Sequence, residues 1–268
     1  MCGRYTLSDP SALQLRFGLV EFADMRLPPL MPRYNVAPGQ PVPVVIETPR
    51  GHELREAVWG FNPAWAGASR PAPINARVET VASNGLFRRA FRRTRCLVVA
   101  DGFYEWRAVA GERRRQPYYL RLRGGGPFAL AGICTGDPEL GDEPGTVAVL
   151  TTAPNELVAV LHDRMPAILA PEDEARWLDR ELTDPAELLP LVRPYPTAAM
   201  EAYPVAPLVS WHANDGPELI RPLGVRGGVP AVRQPPRDAA EPREDRSGAL
   251  RRAVPYCPSV RSGVRAIT

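Results

Sequence analysis

The chain contains no lysine, because all 33 of its Lys and Arg positions are Arg. With many Ala, Pro and Gly residues, this usage is typical of a GC-rich coding sequence and indicates no function. No run of about 18 apolar residues occurs, so no membrane-spanning helix is predicted. The first residues also lack a basic segment followed by an apolar one, so no secretory signal is predicted. These absences favour a cytoplasmic protein without a membrane partner.

Cysteine is scarce and dispersed along the chain. The four cysteines are Cys2, Cys96, Cys134 and Cys257, and no two of them form a C-x-x-C pair. This spacing predicts neither a disulfide framework nor a zinc site, and it is typical of a protein in a reducing compartment. We therefore expect no bound metal and no cofactor.

Charge is unevenly distributed. The formal net charge is +3, but nine Arg and only four acidic residues lie between Gly224 and Thr268. That segment carries a charge of +5, which leaves −2 on the preceding residues. A nucleic-acid surface on the folded part would therefore be a local patch rather than a property of the whole domain.

Residues 2–223 are predicted to form one α+β domain, because short strands and short helices follow one another without a regular βαβ repeat. The clearest elements are strands at Cys96–Ala100 and Thr146–Thr152, helices at Leu86–Arg95 and Pro171–Leu178, and an extended segment at Tyr203–Trp211. Residues 224–268 are rich in Pro, Gly and Arg and almost free of aromatic residues. We predict that they form a disordered tail.

Cys2 follows the initiator Met1, which is usually removed when the second residue is small. Removal would leave Cys2 with a free α-amine beside its thiol, and these groups titrate near pH ~8 and ~8.5. Such an amine condenses with an aldehyde to an imine, and the neighbouring sulfur closes on the imine carbon to give a five-membered thiazolidine. The alternative is that Cys2 is an ordinary early residue of the chain.

Three further residues, Glu105, His162 and Asn75, carry groups that such chemistry needs. Glu105 is predicted in a turn between Phe103 and Trp106, just past a buried strand, where aromatic neighbours would raise the pKa of its carboxyl for acid–base work. Histidine exchanges a proton near neutral pH, and an Asn amide stabilises developing charge without acting as a base. The alternatives are a salt-bridged loop Glu, a capping or core His and an Asn that closes an Asx turn.

Six characteristic stretches occur in one order along the chain. They are Met1–Tyr5, Arg33–Gly39, Trp59–Trp65, Ile74–Glu79, Ala100–Trp106 and His162–Pro166. Together they resemble the SRAP family (SOS response-associated peptidase, also called abasic site processing proteins) over roughly residues 2–223. The chain departs from the family pattern at Ala66, where a second aromatic residue often follows the one that matches Trp65.

The resemblance implies a single α+β domain with a curved, barrel-like and mostly antiparallel β core, short peripheral helices and a DNA groove that leads to Cys2. It implies that Cys2 bonds covalently to the ring-opened aldehyde of an abasic site in single-stranded DNA and so shields the lesion during the response to DNA damage. Glu105, His162 and Asn75 match the family's catalytic residues. His162 would help to open the sugar and would move protons during ring closure or reversal.

The same matches predict the DNA contacts. Arg4, Arg77 and Arg164 lie beside the catalytic residues and would bind the phosphates that flank the lesion, because guanidinium binds phosphate in a bidentate manner. Residues expected to contact or stack on exposed bases are Asn35, Pro38 and Trp65, and Thr151 is expected to line the pocket. The protein is expected to be a monomer that associates with the bacterial nucleoid when it acts.

Two other functions stay open at this point. Cys2, His162 and Glu105 would also suit a cysteine peptidase, as the family name suggests, although a peptidase does not require its nucleophile at the N-terminus. The chain could instead be a non-catalytic module that binds single-stranded DNA, with Cys2 in a structural role. Because an imine lies on the path to a thiazolidine, a weak strand-cleaving lyase activity is also compatible with the sequence.

Overall fold

The strands are arranged in two sheets that meet beside the N-terminal residues. The computed structural model describes residues 2–19, 30–67, 71–136 and 143–224. The predicted tail beyond Gly224, with Cys257 in it, lies outside the described residues. Within the described ranges, no helix is long and apolar enough to cross a membrane.

Twelve strands and six short α-helices are found in this part of the chain. The strands are β1 (Tyr5–Leu7), β2 (Arg33–Val36), β3 (Pro41–Thr48), β4 (Gly51–Trp59), β5 (Asn75–Arg77), β6 (Arg95–Ala100), β7 (Gly102–Arg107), β8 (Gln116–Leu122), β9 (Phe128–Cys134), β10 (Thr146–Thr152), β11 (Met165–Pro166) and β12 (Met200–Pro204). The helices are α1 (Leu13–Phe17), α2 (Val78–Val81), α3 (Arg88–Arg93), α4 (Glu156–Ala159), α5 (Pro171–Leu178) and α6 (Pro185–Leu188). The predicted strand β10 and helix α5 are confirmed over their full lengths.

Two predicted segments end at other residues in the structure than the sequence predicts. Helix α3 ends at Arg93 because Arg95 already belongs to β6, and the buried guanidinium of Arg95 donates to Trp177 O at 2.6 Å. The extended segment predicted to reach Trp211 instead turns after β12 through a 3₁₀ helix at Pro207–Ser210. Proline at the start of this turn has the backbone angle that a helical turn needs, which favours a turn over continued extension.

The seven-stranded sheet curls on itself. Its strands run in the order β11-β10-β4-β3-β6-β9, β9 also pairs with β10, and β5 lies parallel to β10. Side chains that alternate along β6 enter different layers: Val98 shares a buried cluster with Phe103 of the other sheet, whereas Leu97 and Val99 share one with Trp177 of α5. The fold is therefore α+β, with a curved, mostly antiparallel β core and short peripheral helices, as predicted.

The five-stranded sheet, in the order β12-β8-β7-β1-β2, places the N-terminal strand directly beside β7. The Tyr104 backbone N–H donates to Arg4 O at 3.0 Å. The prediction of a turn at Glu105 is wrong, because this residue lies within β7 and opposite Tyr118 of β8. Since β7 has a hydrogen-bonded neighbour on each side, its backbone groups are satisfied as a strand and would lose partners in a turn.

The buried carboxylate of Asp101, in the bend between β6 and β7, forms hydrogen bonds that hold β1 against β7. It accepts hydrogen bonds from the Thr6 hydroxyl, from Ser8 Oγ at 2.7 Å and from the Asp9 backbone N–H at 3.0 Å. Hydrogen bonds to a charged acceptor are stronger than those between neutral groups. The position of β1, and of Cys2 just before it, is therefore fixed relative to β7.

Candidate active site

Cys2 lies three residues before the first residue of β1, and its side chain is fully buried. Its backbone oxygen accepts a hydrogen bond from Asn75 Nδ2 at 2.9 Å. Asn75 begins β5, which runs beside β10 in the curled sheet, whereas β1 belongs to the five-stranded sheet. This contact therefore joins the two sheets at the residue that is predicted to be the nucleophile.

Glu105 is also buried, and its charge acts on the Cys2 thiol. Burial raises the pKa of Glu105 to about 7; the positive amino terminus of the chain opposes this rise and the negative charge of Asp163 adds to it. A carboxyl with such a pKa is present in both protonation states near neutral pH, so it can give and take a proton there. The carboxyl predicted to have a raised pKa has one, and the main cause is burial within a strand.

The Cys2 sulfur keeps its proton in this position. Burial, followed by the negative charge of Glu105, raises the pKa of the thiol well above its ordinary value. Because the thiolate is the nucleophilic form, a reaction that begins with a preformed thiolate is disfavoured. A reaction that begins at an α-amine and uses the sulfur second does not have this difficulty.

His162 has two partners for the same ring nitrogen. Its Nδ1 lies 3.0 Å from the Arg164 backbone nitrogen, which can only donate, and 2.8 Å from Asp163 Oδ1. A neutral ring with hydrogen on Nε2 suits Arg164, and a protonated ring suits Asp163. Burial, followed by the positive amino terminus, lowers the pKa of His162. The ring is therefore neutral near pH 7, and a proton that it accepts is stabilised by Asp163.

The Oδ1 atom of Asn75 is buried and has no hydrogen-bond partner among the described residues. The amide is oriented by the hydrogen bond from its Nδ2 to Cys2. A buried acceptor without a partner costs about 1–3 kcal/mol, and a hydroxyl or N–H group of a bound molecule would remove this cost. Asn75 is therefore suited to bind a polar group beside Cys2.

Asn35 is buried, which contradicts the prediction that it contacts bases. Its Nδ2 lies within hydrogen-bond distance of the backbone oxygens of Val209, Trp211 and Asn214, and its Oδ1 accepts from Arg4 Nη1 at 2.8 Å. The Arg4 guanidinium also donates to Val209 O at 3.0 Å. A buried amide must find its partners inside the protein, so Asn35 holds Arg4 in place instead of meeting DNA.

We expect Asn35→Ala to lower the free energy of unfolding by about 2–4 kcal/mol, because it leaves the Arg4 guanidinium and several backbone oxygens without this partner. Denaturant unfolding followed by tryptophan fluorescence measures the change. Asn84→Ala is the control, because Asn84 Oδ1 accepts from Leu86 N at 2.9 Å in an exposed loop. Similar losses in the two variants would contradict this role for Asn35.

Arg164 is held by protein partners. Its guanidinium forms a two-point ion pair with Glu79, at 2.6 and 2.9 Å, and donates to Thr151 O. Thr151 is fully buried in β10 and so supports Arg164 from within the sheet. Arg77, two residues beyond Asn75, is exposed. Of the three arginines predicted to bind phosphate, the structure thus exposes Arg77, while the other two are half-buried in contacts that shape the site.

Trp65 and Pro38 lie on the surface, as contacts to bases require. Trp65 is 68% exposed, which excludes a role in the core, and Pro38 is exposed in the loop between β2 and β3. Two surface grooves, of about 770 and 550 Å³, both include Phe61 and Trp65 in their walls. The larger one reaches Pro73, two residues before Asn75. Trp65 therefore lines a groove that reaches the segment leading into Asn75.

Two charged residues near the site had no predicted role. Asp163 lies against His162 and raises the pKa of Glu105, whereas Arg115 lowers the pKa of both. Asp163 is part of the stretch His162–Pro166, so its position is indicated by that motif. Arg115 comes close because β7 and β8 form an antiparallel pair that brings the chain back past Glu105. No pattern in the sequence around Arg115 indicates this approach.

Comparison with known families establishes the relationship. The sequence model of the family described as SOS response associated peptidase (SRAP) matches residues 1–211, which include Cys2, Asn75, Glu105 and His162. The chain belongs to the SRAP family. The resemblance drawn from the six ordered stretches is thereby confirmed.

SRAP relatives that cover most of the chain carry names that refer to DNA lesions. YoqW of Bacillus subtilis (strain 168) is 38% identical over 82% of this chain and 99% of its own length. YedK of Escherichia coli (strain K12) is 31% identical over 83% and 100%, and HMCES of Gallus gallus is 30% identical over 74% and 68%. All three are named abasic site processing proteins. A solved structure from Bacteroides thetaiotaomicron has a TM-score of 0.69 at 26% identity and covers 82% of this chain and 99% of its own.

Proposed function

We propose that this SRAP chain processes abasic sites by forming a covalent crosslink between Cys2 and the ring-opened aldehyde of the lesion in single-stranded DNA. The observation that carries the proposal is the burial of Cys2 beside Asn75 and Glu105, where the two sheets meet. An aminothiol next to an acid–base carboxyl suits an aldehyde as its electrophile. The names of the relatives support processing of abasic sites as the setting, and the crosslink would shield the lesion from strand cleavage.

The reaction requires removal of Met1, so that Cys2 carries the free α-amine. The amine nitrogen attacks the aldehyde carbon, and the aldehyde oxygen takes a proton to give a carbinolamine. Loss of that hydroxyl as water gives an imine. The sulfur then bonds to the imine carbon while the thiol proton passes to nitrogen. One aldehyde and one aminothiol thus give one thiazolidine and one water, without oxidant, reductant or cofactor.

Glu105 moves protons in two of these steps. With a pKa of about 7, its protonated form donates to the departing hydroxyl, and the carboxylate so formed takes the proton of the Cys2 thiol as sulfur attacks. This order suits a thiol whose pKa is raised, because the thiolate forms only at the moment of attack. Asn75 Oδ1 accepts a hydrogen bond from the carbinolamine, and the Nε2–H of neutral His162 donates a hydrogen bond to the ring oxygen of the closed sugar as it opens to the aldehyde.

The DNA strand is held by contacts that carry no sequence information. Exposed Arg77 binds a flanking phosphate, while Arg4 and Arg164 shape the pocket through their contacts within the protein. Trp65 and Pro38 meet the neighbouring bases. Because the lesion has no base, none needs to be flipped out of the strand. A protein of this kind, acting as a monomer at the nucleoid, would accept the lesion in any sequence.

A cysteine peptidase that uses Cys2, His162 and Glu105 is the second candidate, and the family's name favours it. The raised pKa of the Cys2 thiol disfavours it, because a peptidase of this class needs a thiolate. The state of His162 disfavours it too, because the Nδ1 atom of the neutral ring already accepts a hydrogen bond from the Arg164 backbone N–H. Cys2, His162 and Glu105 could still remove Met1 from their own chain, which is a single cleavage and requires no general peptidase activity.

A denaturing gel tests the proposed function. Protein that lacks Met1 is mixed with a single-stranded oligonucleotide that carries one abasic site or none. We expect a heat-stable shifted band with the lesion only, with a mass equal to that of the protein plus the DNA minus one water. Absence of this band from folded protein, or an adduct mass that retains the water, would contradict the proposal.

A further inference from the structure

Helix α3 carries an exposed arginine cluster that the proposed reaction does not use. The cluster consists of Arg88, Arg89, Arg92 and Arg93. Within the described ranges, no carboxylate forms an ion pair with any of them, whereas Arg164 and Arg193 are each paired with one. Like charges this close on a helix repel one another. A bound anion would relieve this repulsion, so the cluster has the character of an anion-binding surface.

The cluster has two sides. Residues four positions apart lie on the same side of a helix, so Arg89 and Arg93 form one pair and Arg88 and Arg92 form the other. Arg92 donates to Thr183 O at 3.2 Å, just before α6. Arg89 instead lines the groove of about 550 Å³. Arg89 therefore faces the groove, with Arg93 one turn further along the same side of the helix, and Arg92 faces the segment before α6.

This groove extends from α3 to the exposed ring of Trp65. Its lining includes both Arg89 and Trp65. The larger groove shares Trp65 and continues to Pro73, close in sequence to Asn75. One carboxylate, Glu143, also lines the first groove, but it is paired with Arg55 at 3.2 Å. Two adjoining grooves thus run from Arg89, past an exposed aromatic ring, to Pro73 in the segment that leads into Asn75.

We infer that Arg89 and Arg93 bind the phosphodiester backbone of the lesion-bearing DNA strand several nucleotides away from the abasic site. The inference rests on the proposed function, because it takes DNA to be the occupant of the active site. Guanidinium groups bind phosphate in a bidentate manner, and proteins that bind single strands combine a basic groove with aromatic rings for stacking. The residues before the tail carry −2 overall, so the attraction comes from this local pair.

The test uses single-stranded DNA with a tetrahydrofuran abasic analogue, which has no aldehyde and cannot crosslink. Fluorescence anisotropy gives Kd at several salt concentrations for oligonucleotides of about 5 and about 20 nucleotides. For the double variant Arg89→Gln/Arg93→Gln, we expect about tenfold weaker binding of the long oligonucleotide and a salt slope smaller by about 1.4, since each neutralised phosphate contributes about 0.7. The gain in affinity on lengthening the oligonucleotide should shrink by the same factor.

The matched control is Arg88→Gln/Arg92→Gln, which removes the same charge from the side that faces α6. Equal losses of affinity in the two double variants would overturn the inference. The inference would also be overturned if the Arg89/Arg93 variant gained as much affinity as the parent when the oligonucleotide is lengthened. Arg89→Lys/Arg93→Lys keeps the charge and should retain the salt slope even if packing changes. Because the analogue forms no adduct, these affinities can be measured whether or not Cys2 forms a crosslink. A failure of the proposed crosslink is therefore distinguished from a failure of this inference.

Discussion

Cys2→Ala is expected to abolish the heat-stable adduct with abasic single-stranded DNA, and Cys134→Ala is expected to leave it intact. Both thiols are buried and neither forms a disulfide, so the two variants remove the same group from the interior. Only Cys2 lies beside Asn75 and near Glu105. Denaturing gels at equal concentrations of folded protein compare the two. An adduct formed by Cys2→Ala at more than about a hundredth of the parental rate would contradict the nucleophilic role.

Cys2→Ser separates the two halves of the aminothiol. The variant keeps the α-amine, so it can still form an imine, but a hydroxyl is a much weaker nucleophile than a thiolate and closes the ring poorly. We therefore expect an adduct that survives heating only after reduction with borohydride. A stable adduct without the reductant would show that ring closure through sulfur is not required.

An additional residue fixed before Cys2 removes only the free amine. The thiol, Glu105 and His162 stay in place, so a peptidase that depends on the thiol alone would keep its activity. Thiazolidine formation needs the amine and should be lost. Together with the Cys2 variants, this extended variant assigns the reaction to the amine, to the sulfur or to both.

The chemistry proposed for Cys2 can be inferred from the sequence alone because it depends on groups within one residue rather than on the fold. The buried strands were predictable for a similar reason: a short, continuous apolar run such as Cys96–Ala100 is typical of a strand with both faces covered. The structure extends this strand by one residue, to Arg95. The order of the six stretches indicates the family, and the family in turn indicates the approximate architecture.

The partners of polar side chains could not be predicted, because they come from distant parts of the chain. Asn35 finds its backbone acceptors at Val209 and beyond, and Arg164 finds Glu79 in another element. Such pairings depend on the sheet order, which a single sequence does not define. The sequence predicts a turn at Glu105, just past a buried strand, but the chain turns before Gly102 and pairing on both sides keeps β7 extended.

Glu105→Gln is expected to slow adduct formation about 10²–10⁴-fold near pH 7, the range that general acid–base catalysis contributes. Gln has nearly the same shape but neither gives nor takes a proton. In the parent protein the rate should fall as the pH rises through about 7, because Glu105 then loses the proton that it donates to the departing hydroxyl. Single-turnover rates across this range should show the descent in the parent and not in the variant.

The same substitution should stabilise the folded protein above neutral pH. Burial raises the pKa of Glu105 from 4.5 to about 7, so the folded chain keeps a proton that the unfolded chain releases between these values. The free energy of unfolding therefore falls as the pH rises over this interval, by up to about 3 kcal/mol, and stays low above it. Gln carries no charge, so Tm of the variant should exceed that of the parent well above pH 7 and match it below pH 4.5.

Glu201→Gln is the control for the melting experiment, because Glu201 forms a partly exposed ion pair with Arg121 at 2.7 Å. Its loss should change Tm little, since pairs of this kind contribute about 0–1 kcal/mol. A purely structural role for Glu105 would make the Gln variant both slower and less stable. A variant that is slower yet more stable at alkaline pH would instead show that the chain keeps a buried, destabilising carboxyl at this position because the reaction needs its proton.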